Sequence, residues 1–200
     1  MISIAKRFLF IHIPKTAGTA IEETIEDDSC VCKRNQVDDK AISFKVPLNH
    51  LSLAQIVEGD FVPVQELKDY LKFTFVRNPW GRVISECFCP HIRLIFEDCN
   101  DISERIQQVC NYSTEGYGGH CRCQTDFIRS GTLSLDFIGR YENLAHDIEY
   151  LLQKIGYTDR MFNVMKNTRR KPYREFYDDV TRKLVKETYG EEIEEFQYSF

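Results

Sequence analysis

The sequence has one tryptophan, three methionines and six prolines in 200 residues, with no internal repeat, no low-complexity tract and no Pro- or Gly-rich linker. A chain of this length without a linker is expected to form one domain, residues 1–200, large enough to bury a core without disulfides or metal. Hydrophobic residues at 42% and charged residues at 28% exclude disorder, collagen and coiled coil. Near the start the longest unbroken apolar stretch is Phe8 to Ile11, far short of the roughly 20 residues of a membrane span. No secretory signal precedes it, so no stable membrane anchor and a cytoplasmic location are expected. Basic residues do not prevail either: 26 Lys and Arg face 31 Asp and Glu, for a net charge of −5. That balance excludes a general nucleic-acid binder, and any anion site must be a local concentration of positive groups.

Cysteine is not scarce. Cys30, Cys32, Cys87, Cys89, Cys99, Cys110, Cys121 and Cys123 include three C-x-C pairs. Reduced, structural thiols are the first expectation, since composition is too ordinary for a disulfide-built scaffold and nothing exports the chain. A disulfide or a metal stays open. C-x-C is cramped for two ligands on one tetrahedral ion, yet His120 beside Cys121 and Cys123 makes a ligand cluster conceivable.

Phe8–Ile13 reads as a buried strand ended by Pro14, and Thr19–Ile25 as a helix with Ile21 and Ile25 on one face. The polar stretch from Asp27 to Lys40 reads as a surface excursion carrying Cys30 and Cys32. Leu71–Val76 reads as a second strand, with Pro79 opening a helix. A short helix over 101–110, a Gly-containing loop over 111–123, a strand at Asp136–Gly139 and an amphipathic helix from Leu144 to Ile155 follow. A basic run, Lys166 to Arg174, precedes a charged helical end over 178–196. Alternating strands and helices predict an α/β domain with a mostly parallel sheet.

His12-Ile-Pro-Lys-Thr-Ala-Gly-Thr19 sits between a strand and a helix. There backbone N–H groups and the helix dipole suit a phosphate. Gly18 permits close approach, Thr16 and Thr19 add hydroxyls, and Lys15 adds a mobile charge. A Walker A loop places its lysine after the glycines; here it comes first. The plainer alternative is a strand–turn–helix corner with a solvated lysine.

This segment resembles the 5′-phosphosulfate loop of PAPS-dependent sulfotransferases, and most of all the carbohydrate-type branch that includes the heparan sulfate O-sulfotransferases. The second unit, Phe73-Thr-Phe-Val-Arg-Asn-Pro-Trp-Gly-Arg-Val-Ile-Ser85, offers an arginine after a strand and a serine eight residues on, able to meet on one anion. It is similar to that family's 3′-phosphate motif, with Arg77 and Ser85 at the matching positions and Arg82 as a second, structural arginine. Tyr141, in Asp136–Leu144, matches a tyrosine that packs near the nucleotide. Thr168 and Arg169, in the basic run, match the late loop that covers it.

The resemblance implies a P-loop-like three-layer fold and sulfuryl transfer from PAPS to an acceptor hydroxyl, carbohydrate or another small alcohol, releasing PAP. It implies cofactor binding by Lys15, Thr16, Ala17, Gly18, Thr19, Arg77, Ser85, Tyr141, Thr168 and Arg169, and no metal for the transfer. Lys15 would act on the leaving oxygen. Among five histidines, His12 reads as a core residue, His146 as lying on a polar helix face, and His91 as a possible liner of an acceptor cleft. His50 matches the segment in which the family carries its catalytic histidine. The stretches 27–47 and 88–123 are expected to form the acceptor cleft. The alternatives are a non-catalytic PAP- or PAPS-binding protein and a P-loop small-molecule kinase, the latter without a Walker A lysine or evident magnesium-binding acids. Oligomeric state is not legible.

Overall fold

A computed structural model describes residues 1–34, 36, 46–114, 117–162 and 171–200. These fall into two compact units: the described residues of Met1–Val76 with Asp126–Val164, and of Arg77–Thr125 with Met165–Phe200.

The first unit is built on one five-stranded mixed sheet, β1 (Ile2–Ser3), β2 (Phe8–Ile11), β3 (Cys30–Val31), β4 (Leu71–Val76) and β5 (Phe137–Arg140), in the order β3-β1-β2-β4-β5. β2 pairs parallel with β4, and β4 parallel with β5, while β1 runs antiparallel to both β2 and β3. Four of the five strands therefore point one way. Every residue of β2 is buried, the pattern of a strand covered on both faces. Phe10 stands opposite Phe73, which stands opposite Phe137. The rings of Phe10 and Phe73 stack with centroids 5.2 Å apart. Helix α1 (Gly18–Ile25) lays Ile21 and Ile25 on this aromatic face, and Leu144, Ile148, Leu151 and Leu152 of a later helix (Leu144–Lys154) join the same core.

Two short helices, α2 (Leu53–Gly59) and α3 (Val64–Leu67), lie between β3 and β4 in the chain. Ser52 opens α2 with a capping box, its hydroxyl accepting from Gln55 N–H. Numbering the remaining helices in chain order, α4 is Pro79–Cys87, α5 Ile102–Asn111, α6 Thr125–Ile128, α7 the Leu144–Lys154 helix, α8 Asp179–Thr188 and α9 Gly190–Glu195.

The second unit is all helix and 3₁₀ turn among its described residues. Pro79 is the first residue of α4, as its fixed φ favours, and Asn78 caps it by accepting from Trp80 and Gly81 N–H groups. Trp80, Val83, Ile84, Ile106, Val109, Val185 and Tyr189 make the core between α4, α5 and α8. Arg82, 1% exposed, donates to the carbonyls of His120 and Arg122 from inside this core. Its role is structural.

All eight cysteines are free thiols, six of them buried. Cys87, Cys89, Cys110 and Cys121 belong to the second unit's core. Burial pushes the Cys110 thiol up to about 11, so it stays protonated and unreactive near neutrality.

The surface excursion expected from Asp27 to Lys40 is corrected at its start. Cys30–Val31 is strand β3, with Cys30 and Cys32 both buried. A two-residue strand has too little periodicity to announce itself. What holds it is Asp27, whose carboxylate accepts from the Ser3 hydroxyl at 2.6 Å and the Tyr157 hydroxyl at 3.0 Å, and also from Ser29. Although partial burial opposes ionisation, these hydrogen bonds from Ser29, Ser3 and Tyr157 hold the Asp27 carboxyl down at about 2. A depressed carboxylate contributes stability that is full above its ordinary 3.8 and is lost as pH falls through about 2. Asp27→Asn is therefore expected to flatten the acid limb of urea midpoint against pH. An acid limb as steep as the wild type's would show that the clip carries none of it.

Candidate active site

β2, β4 and β5 run parallel, so their carboxyl ends share one sheet edge, the edge at which open α/β sheets bind ligands. The turn from His12 to Ala17 leaves β2 at that edge, and the 3₁₀ turn Tyr141–Asn143 leaves β5 there. Tyr141 is half-buried and packs against the aromatic core, as does Ala17.

The turn has an unusual backbone. Lys15 and Ala17 both take positive φ, 67° and 72°, without being glycine. Such conformations cost of order 1–3 kcal/mol each and concentrate where function requires them. Left-handed residues interleaved in a turn gather N–H groups into a concavity that suits an anion. No side chain among the described residues caps α1, which starts at Gly18. Thr16 is fully buried, and its hydroxyl donates to the Ile13 carbonyl at 2.8 Å, tying the turn rather than facing outward. Thr19 is exposed on the first turn of α1, and Lys15 is half-buried.

His12, 3% exposed, is the core residue its position in the strand suggested. Its ring occupies the space above Gly18: a Cβ there would lie 1.9 Å from His12 Cδ2. Glycine is needed at this position for the imidazole, whatever else approaches. His12 Nδ1 lies 3.0 Å from Glu22 Oε1 of α1, so one proton is shared between them. Burial pushes the Glu22 carboxyl above its ordinary range.

His50 is brought to the same place. It ends a 3₁₀ turn, Leu48–His50, and is 8% exposed. Its ring meets that of His12 edge-on, with centroids 4.5 Å apart. His50 Nδ1–H donates to the His12 carbonyl at 3.1 Å. A carbonyl only accepts, so the neutral ring carries its proton on Nδ1 and its lone pair on Nε2. Asn49 Nδ2 lies 3.5 Å from that Nε2 and 3.3 Å from His12 Nδ1.

Arg77 and Ser85 belong to the second unit. Gln124, fully buried, brackets the Arg77 backbone: its Oε1 accepts from Arg77 N–H at 2.8 Å and its Nε2 donates to the Arg77 carbonyl at 2.9 Å. Glu192 fixes Gln124 in turn, accepting from both its side-chain and backbone N–H groups. The Arg77 side chain runs over α4, its Nε 3.5 Å from where a Gly81 Cβ would be. Half-buried Ser85 is four residues beyond Gly81, on the same helix face. Thr168 and Arg169 lie outside the described residues.

The sequence reading missed Glu22, Asn49 as a partner, and Gln124. Glu22 adjoins Ile21 on the buried side of α1, a faint signal, and Gln124 gave none. His146 is exposed on α7, as its polar helix face suggested, and His91 is exposed after α4.

A family model described as the sulfotransferase family matches residues 1–199. The chain belongs to the sulfotransferase family. An uncharacterized protein of Archaeoglobus fulgidus is 33% identical over 97 residues, 46% of this sulfotransferase-family chain and 72% of that protein. No solved structure matches significantly. Among the described residues no helix is long and apolar enough to cross a membrane.

The packing of His12 on Gly18 yields a stability test. Gly18→Ala is expected to destabilise by about 1–3 kcal/mol, the ordinary cost of overpacking. A double-mutant cycle with His12→Ala should show that most of this cost disappears once the ring is gone. Additive effects in that cycle would contradict the contact.

Proposed function

We propose that this sulfotransferase-family chain moves a sulfuryl group from PAPS to the hydroxyl of a carbohydrate or other small alcohol, by in-line displacement at sulfur. The observation that carries the reading is the hydrogen bond from His50 Nδ1 to the His12 carbonyl, at the head of the turn that bears Lys15. It leaves Nε2 in the form a general base needs.

The donor set suits an anion. Lys15, Thr16, Ala17 and Gly18 offer backbone N–H groups at an uncapped helix start, Thr19 a hydroxyl, and Lys15 a full charge. These residues take the 5′-phosphosulfate. Arg77 supplies a forked pair of donors and Ser85 a hydroxyl for the 3′-phosphate, with Gln124 fixing the Arg77 backbone. Tyr141 packs near the base, and Thr168 with Arg169 completes the nucleotide cover. PAPS supplies the sulfuryl group and leaves as PAP.

His50 Nε2 takes the proton of the acceptor hydroxyl as it attacks. Lys15 neutralises the charge that grows on the oxygen bridging phosphorus and sulfur. Glu22 keeps His12, and through its carbonyl His50, in place. One domain of P-loop-like, three-layer architecture over residues 1–200, in the carbohydrate-type branch, fits this reading.

A radiolabelled-PAPS transfer screen over glycans, lipids and small alcohols identifies the acceptor. His50→Ala is expected to lower transfer at least about a hundredfold, the scale of general-base catalysis, while PAP affinity stays within about twofold. Undiminished turnover in that variant removes His50 from the mechanism.

A further inference from the structure

Glu86 lies in the last turn of α4 and Cys89 just beyond its end, a carboxylate and a thiol three residues apart, with the Cys89 N–H donating to the Glu86 carbonyl at 2.7 Å. The chain returns to them through Gly118 and Gly119, both at positive φ, and presents His120. His120 Nδ1 lies 3.0 Å from Glu86 Oε2 and 3.9 Å from Cys89 Sγ. One ligand atom from each residue falls within 4.8 Å of the other two, and all three side chains are buried. Glu86 Oε1 is also buried and has no hydrogen-bond partner among the described residues. A carboxylate shut away from water with half its acceptor capacity unused is costly unless something positive meets it.

We infer that Glu86, Cys89 and His120 bind a divalent metal ion of the zinc class, with water in the fourth position. The donor set, one thiolate, one imidazole and one carboxylate, is borderline-soft and selects zinc over magnesium or calcium. At ordinary zinc bond lengths a tetrahedral ion holds nitrogen and oxygen about 3.4 Å apart and sulfur and nitrogen about 3.6 Å apart. The 3.0 Å and 3.9 Å separations bracket those values, and the carboxylate and thiol lie within 4.8 Å of each other. Binding releases the Cys89 thiol proton and the His120 Nδ1 proton to solvent. Thiolate and carboxylate then balance the two positive charges, and the buried site is neutral.

The surroundings hold the ligands where the ion needs them. Arg82 Nη1 donates to the His120 carbonyl at 3.1 Å and its Nη2 to the Arg122 carbonyl at 2.6 Å, fixing the return loop against α4. That loop continues into Gln124, which clamps Arg77. The ion therefore staples the segment that positions Arg77, a structural role.

The test uses the full chain, stripped with a chelator and titrated with zinc against a chromophoric competitor, then with cobalt(II). One equivalent of zinc should bind, and the cobalt form should show tetrahedral ligand-field bands with a thiolate-to-cobalt charge-transfer band. Cys89→Ser should abolish the charge-transfer band. Cys89→Ser and Glu86→Gln should each weaken zinc at least about tenfold, whereas Cys99→Ser leaves affinity unchanged. No stoichiometric zinc, a cobalt spectrum without the thiolate band, or wild-type affinity in Cys89→Ser overturns the assignment. Should a variant fail to fold, the wild-type cobalt spectrum decides alone.

Discussion

The imidazole of His12 sits where any side chain on Gly18 would have to go, and much of the first unit's candidate site is arranged around that contact. The ring packs on the start of α1, and the turn between them runs through two left-handed residues, Lys15 and Ala17. Because the ring is buried, it needs a partner, and Glu22 on the next turn of α1 provides one. Because its own carbonyl is left at the end of β2, it can accept from His50 and thereby set which nitrogen of that ring is basic. A single buried residue thus links the turn after β2 to the tautomer of the His50 ring beside it.

The second unit solves a different problem with similar means. A buried guanidinium and a buried carboxylate, Arg82 and Glu192, lie 4.0 Å apart and divide their remaining hydrogen bonds among backbone groups and Gln124. Burying such charges is expensive, and removing one partner would strand the other. What the network secures is placement: Gln124 holds the Arg77 backbone on both sides. In a chain with net charge −5, a phosphate site depends on a few cations held in fixed positions rather than on a diffuse basic field.

The elements that position the site were legible where the pattern was strong. Leu71–Val76 is a strand over the span expected of it, Pro79 opens α4, and the helix expected from Leu144 is α7. These segments carry local signals: an apolar run, a proline suited to the first turn, and apolar residues three and four apart. β1 and β3 were not legible, since two-residue strands owe their existence to the sheet edge and to the Asp27 clip. The turn after β2 and His50 could be named from their resemblance to a family. Glu22, Gln124 and the meeting of Glu86, Cys89 and His120 could not, because each is defined by a partner distant in sequence. Thr16 illustrates the limit within a motif: the sequence suggests an outward hydroxyl, while the structure gives that hydroxyl to Ile13.

The proposed transfer requires the chain to recognise a nucleotide that carries both a 5′- and a 3′-phosphate. Calorimetric titration of PAP, adenosine 5′-phosphate and ATP with magnesium measures this directly. PAP should bind at least about tenfold more tightly than adenosine 5′-phosphate, a difference of about 1.4 kcal/mol that charge-assisted bonds to the second phosphate readily supply. Equal affinity for PAP and adenosine 5′-phosphate, or a preference for ATP with magnesium, would contradict it.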